Sequence, residues 1–219
     1  MRKDDHQNPS HILQLISDIS PRLNAEHLRV YLEELLSWNR SLGLMSKRDP
    51  ERTAAKLIRL SVDLWDFLAG DISLEGFSDS ARVLDIGPGG GFPGIIWKLL
   101  NPRLSMVLIE RKERKALFLD RIIKQLGLSG AEVINADVRD LIRLPDHQGS
   151  FQLIGMLAVA HPTDLAEAIE ALLASPGYFC SVRGADEKII PDIIGETLRL
   201  RRAVSFDEGI FVLYEKSDE

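Results

Sequence analysis

The segment Val83-Leu84-Asp85-Ile86-Gly87-Pro88-Gly89-Gly90-Gly91-Phe92-Pro93-Gly94 narrows the possible folds more than any other part of this chain. A short apolar run ends at an acidic residue and passes at once into a glycine-dense turn. Glycine accepts positive φ and carries no side chain that would hold a ligand away, so the pattern describes a strand delivering its chain to a tight bend against something else. In an open α/β sheet such a loop belongs at the carboxyl end of the first strand, where strand order reverses and ligands bind.

The rest of the chain supplies a sheet for that strand. From residue 81 onward, short apolar runs alternate with helical patterns. Strands are expected over 82–86, 105–109, 131–134, 151–155 and 177–182, with helices over 93–100, 112–126, 162–174 and 186–194. This alternation predicts an α/β fold, a Rossmann-like parallel sheet with helices on both faces. Two β-rich runs, 198–206 and 210–215, close the chain around Asp207-Glu208-Gly209 and read as an antiparallel hairpin. Ahead of the sheet, residues 11–69 have a helical pattern. Leu28, Leu32, Leu35 and Leu36 recur at helical spacing, Asn24 stands at an N-cap position, and Gly43 lies near the stop. A second helix opens at Asp49-Pro50 and carries Leu57, Leu60, Leu64 and Leu68. Residues 70–80, rich in Gly, Ser and Asp, read as a linker, dividing the chain into a helical extension (1–80) and an α/β domain (81–219).

Composition sets the setting. Of 219 residues, 45% are hydrophobic and 27% charged, enough apolar content for a sizeable core. Cys180 is the single cysteine, which excludes an internal disulfide framework and suits a reducing compartment. A polar N-terminus without an apolar h-region predicts no signal peptide, and no run approaches the length of a membrane span. The expectation is therefore a cytoplasmic protein with no membrane partner. His6, His11, His27, His147 and His161 are scattered, so no metal is expected. A net charge of −6 gives no global attraction to nucleic acid, and any such role must rest on a local basic patch.

Three adenosine-type ligands compete for the glycine loop. A triphosphate is excluded because no Gly-Lys-Ser/Thr follows the glycines. A dinucleotide needs free amides at the helix start to hold its pyrophosphate, yet Phe92-Pro93 occupies that start and proline has no amide hydrogen. Asp85 is awkward beside a pyrophosphate but suits a cationic ligand. The remaining candidate is S-adenosylmethionine, with its positive ammonium and sulfonium groups. The second strand ends in Glu110, spaced from the glycines as a ribose-binding carboxylate would be. The third ends in Asn135-Ala136-Asp137-Val138, which places Asp137 where an adenine amino group is read. Agreement of three strand ends, in order, outweighs a structural reading of the glycine turn alone. On this reading Asp85, Gly87, Gly89, Gly91, Phe92, Glu110 and Asp137 are cofactor-side residues.

With the helical extension, these residues resemble the bacterial 16S rRNA 7-methylguanosine methyltransferase family, also called glucose-inhibited division protein B. The likeness runs from about Tyr31 onward. It is carried by Trp38-Asn39, by Ser46-Lys47-Arg48-Asp49-Pro50, by the loop from Gly87 to Ile95 with its Gly-Phe-Pro-Gly-Ile ending, and by Arg114-Lys115 followed by Phe118-Leu119. The resemblance implies a class I S-adenosylmethionine-dependent methyltransferase with 16S rRNA or the small ribosomal subunit as partner. It implies cofactor contacts at Gly87, Phe92 and the Val138-Arg139 pair, and an RNA-facing role for Arg114, Lys115 and Arg183. The chain departs from the family in four places. Leu57-Ile58-Arg59-Leu60-Ser61 lacks a histidine and an aspartate, and Met156-Leu157-Ala158 lacks an arginine. Asp137 replaces a basic residue, and the hairpin near Gly209-Ile210 has lost an arginine. These losses leave open a small-molecule or protein acceptor, and a cofactor-binding protein without transfer.

Guanine N7 carries an exposed lone pair and no proton, so its methylation needs positioning and exclusion of water rather than a base. No catalytic residue is assigned. The fourth strand leads into Gly155-Met156-Leu157-Ala158, without the Asn/Asp-Pro-Pro-aromatic run of exocyclic-amine methyltransferases. Cys180 sits in an apolar run and reads as a small core residue. Arg111-Lys112-Glu113-Arg114-Lys115 concentrates positive charge at a helix start, against the helix dipole, where either a solvated face or a phosphate-contacting patch is consistent.

Overall fold

The computed structural model describes residues 9–72, 81–157, 161–187 and 189–216. Most of the expected linker, 73–80, lies outside them, as does Ala158 of the segment after the fourth strand. Eight strands form one mixed sheet: β1 (Arg82–Ile86), β2 (Ser105–Ile109), β3 (Ala131–Ile134), β4 (Phe151–Met156), β5 (Leu173–Gly184), β6 (Ile193–Ile194), β7 (Leu198–Phe206) and β8 (Gly209–Lys216). Their order is β3-β2-β1-β4-β5-β8-β7-β6. Strands β1 to β5 pair in parallel, whereas β8 runs antiparallel between β5 and β7. Chain order therefore reverses between β1 and β4, which puts the loop after Ile86 at the switch point.

Among the described residues, seven α-helices accompany the sheet: α1 (Pro9–Leu15), α2 (Ala25–Leu42), α3 (Pro50–Ala69), α4 (Gly94–Leu100), α5 (Glu113–Gln125), α6 (Val138–Leu141) and α7 (Ala166–Leu172). The expected caps are in place. Asn24 accepts a hydrogen bond from the His27 amide at 2.9 Å, Gly43 ends α2 with φ 60°, and Asp49 accepts from the Arg52 amide ahead of Pro50. One apolar cluster joins α1, α2 and α3 to α4 and α5, with Leu32, Leu35, Ile58, Trp97, Phe118 and Leu119 at its centre. A second, holding Leu84, Ile154, Ile169, Leu172 and Tyr214, fills the opposite face under α6 and α7. Val83 through Ile86 are all buried, as a strand covered on both faces requires.

Two packing details place the glycine loop. Tyr31 on α2 donates its hydroxyl to the Gly90 carbonyl at 2.8 Å, so the N-terminal helices hold the loop from outside the sheet. Trp97 on α4 donates its indole N–H to the Ser61 carbonyl and lies against Gly155, where a Cβ would stand 2.7 Å from Trp97 Cη2.

Two expectations about helices are corrected. The described residues of 186–194 form no helix. A turn over 185–186 leads instead to the two-residue β6. Pro191 explains this, because proline removes an amide donor and pushes the residue before it out of the helical region. The helix expected over 162–174 is a 3₁₀ turn (Pro162–Leu165) followed by the short α7, and β5 begins at Leu173 rather than 177. Ser175-Pro176-Gly177 cannot continue a helix, and Leu173 pairs with Phe151, the first residue of β4.

Candidate functional site

A cavity of about 280 Å³ opens at the carboxyl ends of β1, β2 and β3. The glycine turn forms one wall. The Gly87 amide donates to the Ile109 carbonyl, carrying the β1–β2 ladder one residue further, and Pro88 O then accepts from both the Gly91 and Phe92 amides. Gly87 and Gly89 have φ of 68° and 56°, a left-handed conformation in which a side chain is strained. A Cβ on Gly89 would face the Leu44 carbonyl at 3.6 Å and Lys115 Nζ at 3.8 Å. The α2–α3 loop and the first turn of α5 thus converge on this glycine.

Glu110 forms the floor. It is 6% exposed, with Oε2 accepting from the Gly89 amide at 3.3 Å and Oε1 from the Lys112 amide at 2.9 Å. The carboxylate therefore locks the glycine turn to the start of α5, and each oxygen keeps a further lone pair for a ligand. Its own carbonyl accepts from Asn135 Nδ2 at 2.8 Å, which ties β2 to the end of β3. Opposite, Asp137 caps α6 by accepting from the Arg139 amide at 3.0 Å, and the Arg139 guanidinium lies 3.6 Å from its other oxygen. Arg139 also reaches the Asp164 carbonyl at 3.4 Å.

Of the sequence-predicted cofactor residues, Gly87, Gly89, Glu110, Asp137, Val138 and Arg139 line this cavity. Asp85, Gly91 and Phe92 lie behind it. Asp85 is fully buried, one oxygen accepting from the Gly94 amide at 2.7 Å and the other lacking any partner. Burial above all, with the charge of Glu110 adding and the Gly94 amide opposing, raises its carboxyl well above the usual range. Asp85 is thus outside the cavity lining, and its bonded oxygen holds the Gly94 amide at the end of the loop. Phe92 packs edge-on to Tyr31 with ring centroids 6.0 Å apart, and a Cβ on Gly91 would stand 2.7 Å from Ile95 Cγ1. Both residues shape the turn from within.

The three basic residues are dispersed. Lys115 lines the cavity, Arg114 is exposed on the first turn of α5, and Arg183 is nearly buried near the end of β5, outside the lining. The lining also contains residues that sequence reasoning missed. Arg111 and Lys112 follow directly on Glu110, so their position was readable from the strand end. Leu165, by contrast, comes from the segment after β4, with no local signal. Cys180 is fully buried, and burial first, then the nearby Asp85, pushes its thiol far up, so it is no nucleophile. Among the described residues, no group of three or more His, Cys, Asp or Glu side chains could hold a metal, and no helix is long and apolar enough to cross a membrane.

A family profile described as rRNA small subunit methyltransferase G matches residues 24–192. The chain belongs to that family. Relatives named ribosomal RNA small subunit methyltransferase G include one from Desulfitobacterium hafniense, 31% identical over 73% of this chain and 63% of its own length. Another, from Dehalococcoides mccartyi, is 32% identical over 77% of this chain and 67% of its own length. A third, from Symbiobacterium thermophilum, is 28% identical over 73% of this chain and 64% of its own length. The chain thus spans a little under two thirds of two of these relatives. Among solved structures, a SAM-dependent methyltransferase from Aquifex aeolicus aligns over 94% of this chain and 97% of its own, with a TM-score of 0.51 and 16% identity. TrmN from Thermus thermophilus aligns over 73% of this chain and 48% of its own, with a TM-score of 0.58 and 17% identity. The first shows that the fold is shared with a SAM-dependent methyltransferase, and the second that it is shared with TrmN. The glycine turn and the C-terminal antiparallel strands of this family member sit within that architecture.

Proposed function

We propose that this chain is a methyltransferase that uses S-adenosylmethionine to methylate guanine N7 in the 16S rRNA of the small ribosomal subunit, in the cytoplasm. The observation that carries the reading is the meeting of three strand ends around one cavity: the glycine turn after β1, Glu110 after β2 and Asp137-Val138-Arg139 after β3. The residues present fit the cofactor. Left-handed Gly87 and Gly89 line the cavity without side chains, and the cavity suits a nucleoside-sized group. Glu110 would hold the ribose hydroxyls through its remaining lone pairs. Val138 would pack on the adenine, Asp137 would accept from its amino group, and Gly87 and Gly89 would admit the methionine portion. When bound, the cofactor supplies an electrophilic methyl group on a sulfonium.

What the protein contributes is positioning. N7 attacks with a lone pair and releases no proton, so the chain needs no base and must hold the guanine in line while keeping water out. Arg111, Lys112 and Lys115 line the cavity, and Arg114 stands on the neighbouring surface, giving a basic rim to a chain with net charge −6. Positive charge at the start of a helix opposes the helix dipole, so its concentration there favours a phosphate-facing role over stability. The test is transfer of tritium from methyl-labelled cofactor to small subunits and 16S rRNA lacking the modification. Label in guanine N7 is expected; incorporation into no RNA overturns the reading.

A further inference from the structure

We infer that Glu187 and His161 are positioning residues that hold Arg183 ready for a backbone phosphate of the acceptor RNA and link it to the wall of the cofactor cavity. The inference rests on the RNA acceptor proposed above. Arg183 lies one residue before the end of β5, beside β4 and across the switch point from β2 and β3. That is the side of the sheet left to an acceptor once the first three strand ends are committed to the cofactor.

Arg183 is 8% exposed, yet a guanidinium carries five N–H donors and a permanent charge. Among the described residues it makes one hydrogen bond, from Nη2 to Glu187 Oε1 at 2.5 Å. Its other guanidinium nitrogens are not among the buried side-chain atoms without a partner, so these donors are within reach of solvent. The arrangement is rational if an anion arrives from outside. With one arm of the fork held by Glu187, the remaining edge presents parallel donors, the geometry that matches a phosphate. Since Arg183 does not line the cofactor cavity, the anion it awaits belongs to the acceptor.

The clamp has a second connection. Glu187 Oε1 also stands 3.3 Å from His161 Nε2, and His161 Nδ1 is 2.7 Å from Thr163 Oγ1. Burial works to raise the Glu187 carboxyl, but its bonds to Arg183 and then His161 outweigh this and hold it below the usual range, so it stays charged. His161 begins a short stretch whose other end is anchored at the cavity. There Leu165 lines the wall, and the Asp164 carbonyl accepts from Arg139. One carboxylate thus joins the turn after β5 to the segment after β4, and that segment to the cofactor wall.

The experiment compares wild type, Glu187→Ala, Glu187→Gln, Arg183→Ala and the Arg183→Ala/Glu187→Ala double variant. Steady-state methylation of undermethylated small subunits gives KM and kcat, and calorimetry gives the Kd for S-adenosylhomocysteine. Glu187→Ala is expected to raise the acceptor KM by about tenfold with kcat and cofactor Kd little changed. Glu187→Gln keeps an oxygen for Arg183 and is expected to remain close to wild type. The double variant should be no worse than Arg183→Ala alone. An unchanged KM in Glu187→Ala, additive losses in the double variant, or a parallel loss of S-adenosylhomocysteine affinity overturns the inference. If Glu187→Ala fails to fold, His161→Ala, which removes the other partner of Glu187 Oε1, repeats the comparison, and an unchanged acceptor KM in that variant overturns the inference equally. A wild type that methylates no RNA fails the acceptor reading itself, which separates that outcome from a failure of the clamp.

Discussion

At Asp85 a carboxyl group is enclosed between the glycine turn and α4, with a single amide donor and one oxygen unpartnered. Its neutral form is favoured in the folded state, because burial raises its pKa well above the ordinary value. In the unfolded chain the same group ionises near the usual carboxylate pKa of about 3.9. Stability from this residue is therefore complete below that pH and declines as pH rises toward the raised folded value. Asp85→Asn removes the titration while keeping an oxygen for the Gly94 amide. Denaturant unfolding at pH 4, 5.5 and 7 should show the variant gaining on wild type as pH increases. A difference constant with pH would refute a neutral Asp85. Glu110 and Asp85 are both acids at the ends of apolar strands, and in the sequence they look alike. Only Glu110 lies at the cavity, because its side chain emerges beyond the β2 ladder while Asp85 points under α4.

Helix α5 shows the same division at the scale of an element. Phe118, Leu119 and Ile122 bury one face, as the helical period predicts. The basic residues opposite are not equivalent. Arg121 forms two bonds to Glu34 on α2 at 2.9 and 3.0 Å, and Lys124 pairs with Asp120 one turn back. Arg114 is exposed and makes no hydrogen bond or ion pair among the described residues. If it contacts a phosphate of single-stranded or duplex RNA, Arg114→Ala should flatten the slope of log K against log salt by about 0.7–0.9, with Tm unchanged. Arg121→Ala should leave that slope alone and perturb the α2–α5 contact instead. Filter binding across a salt series decides it, and equal slopes for wild type and Arg114→Ala would remove Arg114 from the interface. Elements with local start signals, such as Asp49-Pro50 for α3, were legible in sequence. The region around Pro191 was not, since apolar spacing suggested a helix that a proline forbids.

In the whole molecule, the helical extension is part of the sheet's packing. Leu28, Leu32, Leu35, Ile58 and Leu64 share one apolar cluster with Ile95, Trp97, Phe118 and Leu119. We propose residues 1–80 and 81–219 as separate architectural parts, and this shared core predicts that they are not separate folding units. The excised fragment 81–219 would leave the outer faces of α4 and α5 as a large exposed apolar patch. It is expected to lack a cooperative thermal transition or to self-associate, by calorimetry and analytical ultracentrifugation. A monomeric fragment with a sharp transition would contradict it. The same contact carries function, because Tyr31 of the extension bonds the Gly90 carbonyl within the glycine loop.

By itself the sequence determined the strand ends and their order. The glycine turn, Glu110 and Asp137-Val138-Arg139 were readable because hydrophobic period and turn chemistry are local properties of a chain. The hairpin around Asp207-Glu208-Gly209 was readable for the same reason. Only the tertiary structure decided which acid faces the cavity, that Leu165 completes its wall, and that Arg183 stands apart, bonded to Glu187. Those outcomes depend on which strands become neighbours and which faces become covered. Strand β4 follows β3 in the chain but pairs with β1 in the sheet. Burial and the fate of a charge follow from that neighbourhood, which no local pattern encodes.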